Sequence, residues 1–177
     1  MADPANQGFM SNAGFVVRRG GVVVFDALGT PALGEAMISA IRTITEQPIR
    51  RVIVSHYHAD HFYGLQAFKA KVWAHENGRQ YLSSDIAPSR LAQRKAELKP
   101  WVNENTHLVP AYRWLNFDAG KTIRFVLGGV HFRVIEMSDA HSPEDIMLAL
   151  DEDKMLFAGD LFFTGRIPFV GEADSKA

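Results

Sequence analysis

The sequence predicts an α/β fold in which sheets are layered with helices, and three observations favour this class. Residues 15–26 contain two apolar, β-branched runs around a Gly-Gly pair, as an antiparallel hairpin does. Residues 30–55 then have the pattern of an amphipathic helix followed by a buried strand. From residue 121 the pattern changes to short apolar runs separated by glycine or acidic turns, which is typical of a β-meander. This order of elements fits stacked layers.

The elements before the meander are predicted in order along the chain. A helix begins at Thr30 and Pro31, because threonine caps a helix N-terminus and proline loses no hydrogen bond at the first helical position. Four apolar residues at helical spacing place a stripe on one face of this helix: Leu33, Met37, Ile41 and Ile44. A buried strand at residues 51–55, a short helix around residues 61–70 and a strand at residues 71–74 then form a β-α-β unit.

The chain is predicted to form a single domain over residues 1–177. A length of 177 residues suffices for one compact core and is short for two. Residues 76–118 are mixed and polar, contain two predicted helices, and are interpreted as a helical excursion from the sheet.

The composition excludes several classes of partner and chemistry. Nineteen Lys and Arg against twenty Asp and Glu give a net charge of -1, so neither nucleic acid nor a membrane surface is an expected partner. The opening residues lack the pattern of a secretory signal, so we expect a soluble chain, cytoplasmic or else periplasmic after removal of a leader. The absence of cysteine excludes disulfides, thiolate metal ligands and a cysteine nucleophile. Any metal ligands must be histidines and carboxylates.

The strongest functional signal is the run His-Tyr-His-Ala-Asp-His at residues 56–61, directly after a predicted buried strand. His56 and His58 alternate by two, so an extended segment directs both side chains to one side. Asp60 and His61 lie where a helix begins and reach a neighbouring position. This one loop therefore has residues for two metal ions.

The residue types of this run favour zinc, with iron or manganese as alternatives, because imidazole and carboxylate are borderline to hard ligands. A hydrogen-bonded polar turn without a metal is the competing interpretation. It is disfavoured because three histidines crowded at the end of a strand would leave ring nitrogens poorly satisfied without an ion. We expect one or two Zn²⁺ ions.

The run resembles the His-x-His-x-Asp-His signature of the metallo-β-lactamase-fold hydrolases. Residues 138–142 resemble the third-histidine loop of that superfamily, and residues 156–160 resemble its Gly-Asp motif. The resemblance extends from Asn12 to Phe163 and implies a four-layer αββα sandwich. The family's first strand has no counterpart before Asp3, and its last strand and helix have none before Ala177. We therefore expect a sandwich truncated at the C-terminal end and also at the N-terminal end.

The resemblance also implies roles for six metal-binding residues. It implies that a first metal is bound by His56, His58 and His141, that a second is bound by Asp60 and His61, and that Asp160 bridges the two. With aspartate at position 160 the chain resembles the glyoxalase II-like thioesterases, lactonases and phosphodiesterases, which use aspartate there. The β-lactamases proper tend to have a cysteine near this position, so β-lactamase activity is not favoured. The opening residues and residues 75–82 are most similar to zinc metallohydrolases of quinoprotein and sulfur-oxidation gene clusters.

The family takes a final histidine for the second metal from a segment after the Gly-Asp motif, and no histidine follows His141 here. Either the chain is truncated, or water or a neighbouring chain completes the second site. A missing final strand and helix would expose apolar surface on the second half, so we expect a homodimer, domain swapping or disorder near the C-terminus.

The expected activity is metal-dependent hydrolysis of an ester, thioester or related bond in a small-molecule substrate, with hydroxide formed from water at the metal as nucleophile. Asp60 is the predicted catalytic residue, orienting the nucleophile and accepting its proton. One alternative is a mononuclear iron persulfide dioxygenase, for which the resemblance implies only His56, His141 and Asp160 as ligands. Another is a catalytically incomplete metal-binding domain.

The positions of four further polar residues predict supporting or peripheral roles. Asp26 ends a buried strand and is predicted to orient the metal loop, with an ordinary turn aspartate as the alternative. His131 alternates with apolar residues on a strand and is expected to face solvent, as is His107 in a polar loop. His75 at a strand end favours a capping or packing role over a position in the cleft.

Overall fold

The first sheet places the ends of its parallel strands where the predicted metal loop begins. The computed structural model describes residues 10–118 and 120–164. The predicted truncations at the C-terminal and N-terminal ends of the sandwich therefore lie outside the described residues. The sheet has five strands in chain order: β1 Gly14–Arg18, β2 Gly21–Phe25, β3 Ile49–Ile53, β4 Lys71–His75 and β5 Arg113–Leu115. The predicted hairpin is β1 and β2, which pair antiparallel, whereas β2 to β5 run parallel.

The helices of the described chain follow the strands closely. They are α1 Pro31–Arg42, α2 Ala59–Phe62, α3 Asn77–Ser83 and α4 Ile86–Glu97, and short 3₁₀ turns lie at Tyr63–Ala67 and Gly159–Leu161. Thr30 caps α1 as predicted, because its side-chain oxygen accepts a hydrogen bond of 3.1 Å from the backbone N–H of Leu33. None of the helices among the described residues has the length and apolarity that crossing a bilayer requires.

The predicted apolar stripe of α1 is correct in its centre and wrong at its ends. Met37 and Ile41 are buried, but Leu33 is 43% exposed and Ile44 is 65% exposed. The helix ends at Arg42, so Ile44 follows it and no longer shares its periodicity. Gly34, rather than Leu33, meets the neighbouring 3₁₀ turn, which leaves the Leu33 side chain outside that contact.

The second sheet is the predicted meander. Its four antiparallel strands follow chain order: β6 Thr122–Leu127, β7 Val130–Glu136, β8 Ile146–Leu150 and β9 Met155–Phe157. Its inner face packs against the first sheet, and the other face of the first sheet packs against helices. In β2, Val22 and Val24 belong to the helix-side core while Val23 and Phe25 belong to the core between the sheets. This double burial explains the continuous apolar run of β2.

Strand β5 was not predicted, because it lies within the segment interpreted as an excursion from the sheet. Helices α3 and α4 do lie in residues 76–118, but the chain then returns to the sheet, and β5 pairs in parallel with β4. A strand of three residues is too short to show an alternating pattern. Its position is determined by pairing with β4, which the sequence pattern does not encode.

A close backbone contact at Gly64 holds the metal loop against the end of β2. The N–H of Gly64 donates to the carbonyl of Leu28, and the N–H of Ala27 donates to the carbonyl of His61. A Cβ atom at Gly64 would lie 1.9 Å from the carbonyl oxygen of Ala27, which is a backbone atom and cannot rotate away. We therefore expect Gly64→Ala to lower the free energy of unfolding by about 3 kcal/mol, at the upper end for overpacking. Urea unfolding measures this, and an unchanged midpoint would contradict the contact.

Candidate metal centre

The candidate centre lies beyond the carboxyl ends of β2 and β3. In parallel α/β sheets this edge opens into a crevice, because the chain turns away from it into the helices. After β3 the chain continues in extended form to His58, which has φ −79° and ψ 139° and precedes α2. The extended segment places His56 and His58 on the same side, as the sequence predicted, and α2 then directs His61 back towards β2.

Three imidazoles form the first donor group. Ligand atoms of His56, His58 and His141 all lie within 4.8 Å of one another. Nδ1 of His58 lies 3.0 Å from Nε2 of His141. His56 and His141 are buried, whereas His58 is partly exposed towards the opening. The structure therefore brings together the three residues that the resemblance assigns to a first metal.

A second donor group shares His56 with the first. Ligand atoms of His56, His61 and Asp160 lie within 4.8 Å of one another. One carboxylate oxygen of Asp160 is 3.3 Å from Nε2 of His61, and the other is 3.8 Å from Nε2 of His141. The Asp160 carboxylate therefore lies between the two groups.

Asp60 belongs to neither donor group. Its carboxylate lies 3.7 Å from Nε2 of His61 and its side chain is 22% exposed, in the first turn of α2. The resemblance pairs Asp60 with His61, but the structure brings His56 and Asp160 to His61 and leaves Asp60 at the margin. Asp60 therefore lies beside the centre, on its more exposed side.

Two buried ring nitrogens test whether these residues fit a metal. Among the described residues, Nε2 of His56 and Nε2 of His61 make no hydrogen bond, although Nε2 of His61 lies 3.3 Å from the Asp160 carboxylate. The opposite nitrogen of each ring is satisfied, since Nδ1 of His56 lies 2.9 Å from Oγ of Ser55 and Nδ1 of His61 lies 2.9 Å from a carboxylate oxygen of Asp26. Unpaired buried polar atoms are costly, and a metal ion would satisfy both lone pairs. The donor set fits a metal ion.

Asp26 supports the metal loop from its buried side. It is fully buried, and its carboxylate accepts hydrogen bonds from the backbone N–H of Ser55 at 2.7 Å and the hydroxyl of Ser55 at 2.8 Å. The same carboxylate accepts from Nδ1 of His61, so the N–H of that ring sits on Nδ1 and the lone pair of Nε2 faces the centre. The predicted contact between Asp26 and the metal loop is therefore present.

Burial, together with the neighbouring imidazoles, favours the neutral forms of His56 and His58. Burial, and then the neighbouring imidazoles, hold the pKa of His56 well below its ordinary value. Burial and then His141 lower the pKa of His58 to about 4. Burial works against the charged form of His61, but the Asp26 carboxylate and further carboxylates raise its pKa well above the ordinary value. Neutral imidazole is the form that binds metals, so His56 and His58 are ready ligands at neutral pH.

Three residues that support the centre were not found by sequence reasoning. Ser55 shares its hydroxyl between Asp26 and His56. Asp145 accepts the backbone N–H of His141 at 2.6 Å and shapes its turn. Glu144 contacts the backbone of the metal loop. The adjacent carboxylates Glu144 and Asp145, close after His141 in the sequence, were the available signal.

The remaining histidines lie where the sequence placed them. His75 is buried, stacks on Phe117 with ring centroids 5.2 Å apart, and accepts the backbone N–H of Asn77. This is the expected packing and capping role. His131 and His107 are exposed.

Fold and site together define a layered α/β protein with a histidine-rich centre at the ends of its parallel strands. The family model for the metallo-β-lactamase superfamily matches residues 6–176. The chain therefore belongs to the metallo-β-lactamase superfamily. A search of curated protein sequences returns no significant match.

Several solved structures share this fold. The B3 metallo-β-lactamase BLEG-1 is 22% identical with a TM-score of 0.69, over 95% of this chain and 76% of its own. The inverting sec-alkylsulfatase Pisa1 from Pseudomonas sp. is 20% identical with a TM-score of 0.65, over 82% of this chain and 27% of its own. A metallo-β-lactamase from Erythrobacter litoralis is 24% identical with a TM-score of 0.58, over 80% of this chain and 55% of its own. This chain thus spans about a quarter of the alkylsulfatase, and these identities show the fold alone.

Proposed function

We propose that this protein is a metal-dependent hydrolase that uses zinc and acts on an ester, a thioester or a related bond of a small molecule. The observation that carries the proposal is the pair of donor groups around His56, with two buried Nε2 atoms that lack hydrogen-bond partners among the described residues. Membership of the superfamily supports the hydrolytic chemistry.

The proposed ligands follow from the donor groups. His56, His58 and His141 would hold a first ion, and His61 with Asp160 would hold a second, with Asp160 between them and Asp60 beside His61. Zinc suits imidazole and carboxylate donors, and the chain has no thiolate to offer a softer metal. A bound divalent ion supplies a Lewis acid and lowers the pKa of water.

The chain's own groups perform the remaining steps. Asp26 and Ser55 hold the buried imidazoles so that their Nε2 atoms face the centre. The Asp60 carboxylate, which lies partly exposed beside His61, would orient the attacking water and accept its proton. Burial of His56 and His141 excludes bulk water from the inner side of the centre.

The bond class rests on Asp160. In the resemblance described above, aspartate at this position is found in glyoxalase II-like thioesterases, lactonases and phosphodiesterases. Asp160 lies near both donor groups, as a bridging residue would, and the resemblance makes an ester or thioester the first choice. A β-lactam is not favoured as substrate, because the β-lactamases proper tend to have a cysteine near this position.

Metal analysis and a substrate panel test this proposal. Protein purified without chelator is analysed by mass spectrometry for metals and then assayed with an aryl ester, an acyl thioester, a phosphodiester, an aryl sulfate and a β-lactam. We expect one or two zinc ions per chain, and ester or thioester hydrolysis that a chelator abolishes and added Zn²⁺ restores.

The matched control for the panel is His131→Ala, which removes an exposed imidazole that contacts Glu152 far from the centre. This variant should keep the metal content and activity of the wild type. Absence of bound metal, or hydrolysis that survives chelation, would refute the proposal. Metal binding without turnover of any substrate would instead indicate a metal-binding domain.

A second candidate is a mononuclear iron dioxygenase acting on a persulfide. His56, His141 and Asp160 provide two imidazoles and one carboxylate, a donor type found in non-haem iron oxygenases. Nε2 of His141 lies 3.8 Å from Asp160, and the rings of His56 and His141 have centroids 4.9 Å apart. One tightly bound iron per chain together with oxygen consumption on a low-molecular-weight persulfide would replace the hydrolase assignment.

A further inference from the structure

The first donor group depends on two loops from different sheets. His56 and His58 follow β3 of the first sheet, whereas His141 lies in residues 137–145, between β7 and β8 of the second sheet. His58 and His141 are 83 residues apart in the chain, yet their nitrogens lie 3.0 Å apart. Some contact between the loops must set this separation, because each sheet fixes only its own loop.

Two hydrogen bonds join the loops on either side of His56. The N–H of Ile146 donates to the carbonyl of Ser55 at 3.0 Å. The N–H of Tyr57 donates to Oε1 of Glu144 at 3.0 Å. The first bond joins two backbone groups, so no side-chain substitution removes it directly. The second bond depends on the side chain of Glu144.

Both ends of the second bond are firmly held. Glu144 is 7% exposed, and Tyr57 is 1% exposed. The Tyr57 ring packs against Phe62 with centroids 4.9 Å apart, and a Cβ at Gly78 would lie 2.4 Å from the same ring. The backbone of Tyr57 is therefore a fixed point from which Glu144 can locate its own loop.

The neighbouring carboxylate acts within its own loop. Asp145 accepts the backbone N–H groups of His141 and Ser142 at 2.6 Å each, and the hydroxyl of Ser142 at 2.8 Å. These bonds give the turn its shape but do not connect it to the first sheet. Asn77 provides a separate tie to this loop, because its side-chain amide donates to the carbonyl of Pro143. The loop therefore retains an anchor when Glu144 is altered.

We propose that Glu144 is a positioning residue that sets the separation of His58 and His141 through its bond to the backbone of Tyr57. This inference rests on the metal centre proposed above. Burying a carboxylate costs free energy, and holding the metal ligands in register would offset this cost for Glu144. Residues that support metal ligands typically contribute about 10–100-fold to metal affinity. Glutamine retains an acceptor oxygen at the same reach, whereas aspartate withdraws it by one methylene.

The test compares zinc binding in Glu144→Ala, Glu144→Asp and Glu144→Gln with the wild type, by competition against a chromophoric chelator. The control is Glu152→Ala, since Glu152 also accepts a backbone N–H, that of His131, on an exposed turn far from the centre. Absorption spectra of the Co²⁺-loaded proteins report the ligand geometry, and thermal unfolding of the metal-free proteins reports stability.

We expect Glu144→Ala and Glu144→Asp to weaken zinc binding about 10-fold or more and to alter the Co²⁺ spectrum. Glu144→Gln and Glu152→Ala should bind zinc as the wild type does. If Glu144→Ala does not fold, Glu144→Asp decides the question. Wild-type affinity in Glu144→Asp, or equal loss in Glu144→Gln, overturns the inference while the proposed function stands. A wild type that binds no zinc overturns both.

Discussion

Replacement of His56 by alanine is expected to abolish binding of the first ion and to weaken binding of the second, whereas replacement of His58 affects the first ion alone. His56 is the residue that the two groups share, while His58 belongs only to the first. Loss of a partner that merely orients a ligand costs about 10–100-fold in affinity, so loss of the ligand itself should exceed about 100-fold. Metal content and titration with Zn²⁺ measure the two variants side by side.

The control for this comparison is His107→Ala, because His107 is exposed and belongs to neither donor group, and this variant should match the wild type. If His56→Ala and His58→Ala lose the same single ion and both bind the other with wild-type affinity, His56 does not contribute to the second group.

The part of this centre that could be predicted is local in sequence. Residues 56–61 follow a recognisable buried strand, and the two-residue period of an extended chain already directs His56 and His58 to one side. His141 and Asp160 come from loops of the second sheet, and only the stacking of two sheets brings them to His56. No local pattern encodes that stacking, so a resemblance between whole motifs was needed to name them.

The residues that were missed or misplaced share a physical cause. Glu144 and Ser55 act through single hydrogen bonds to distant parts of the chain, which leave no periodic signal. Strand β5 exists because β4 offers an open edge, and Leu33 is exposed because Gly34 makes the close contact of α1. Each outcome was decided by a tertiary neighbour rather than by propensity.

Replacement of Asp26 is expected to have the largest effect on stability among the residues around the centre. Its buried carboxylate accepts three hydrogen bonds, two from Ser55 and one from His61. The Asp26 carboxylate is also the main group that raises the pKa of His61 against the effect of burial, so Asp26→Ala removes one member of a buried pair. Removing one member of a buried pair costs about 3–5 kcal/mol in the free energy of unfolding. Urea unfolding of the metal-free protein measures this loss.

Asp26→Asn separates stability from metal binding, because asparagine fits the same space and tolerates the φ of 61° at this position. Its amide group would donate to Nδ1 of His61, which then places the ring N–H on Nε2, facing Asp160 instead of offering a lone pair to a metal. We expect a smaller loss of stability than in Asp26→Ala, together with about 10–100-fold weaker zinc binding. Asp151→Ala, which removes only an exposed pair with Arg133, should change stability by less than about 1 kcal/mol. Wild-type zinc affinity in Asp26→Asn would show that the orientation of His61 does not depend on the Asp26 carboxylate.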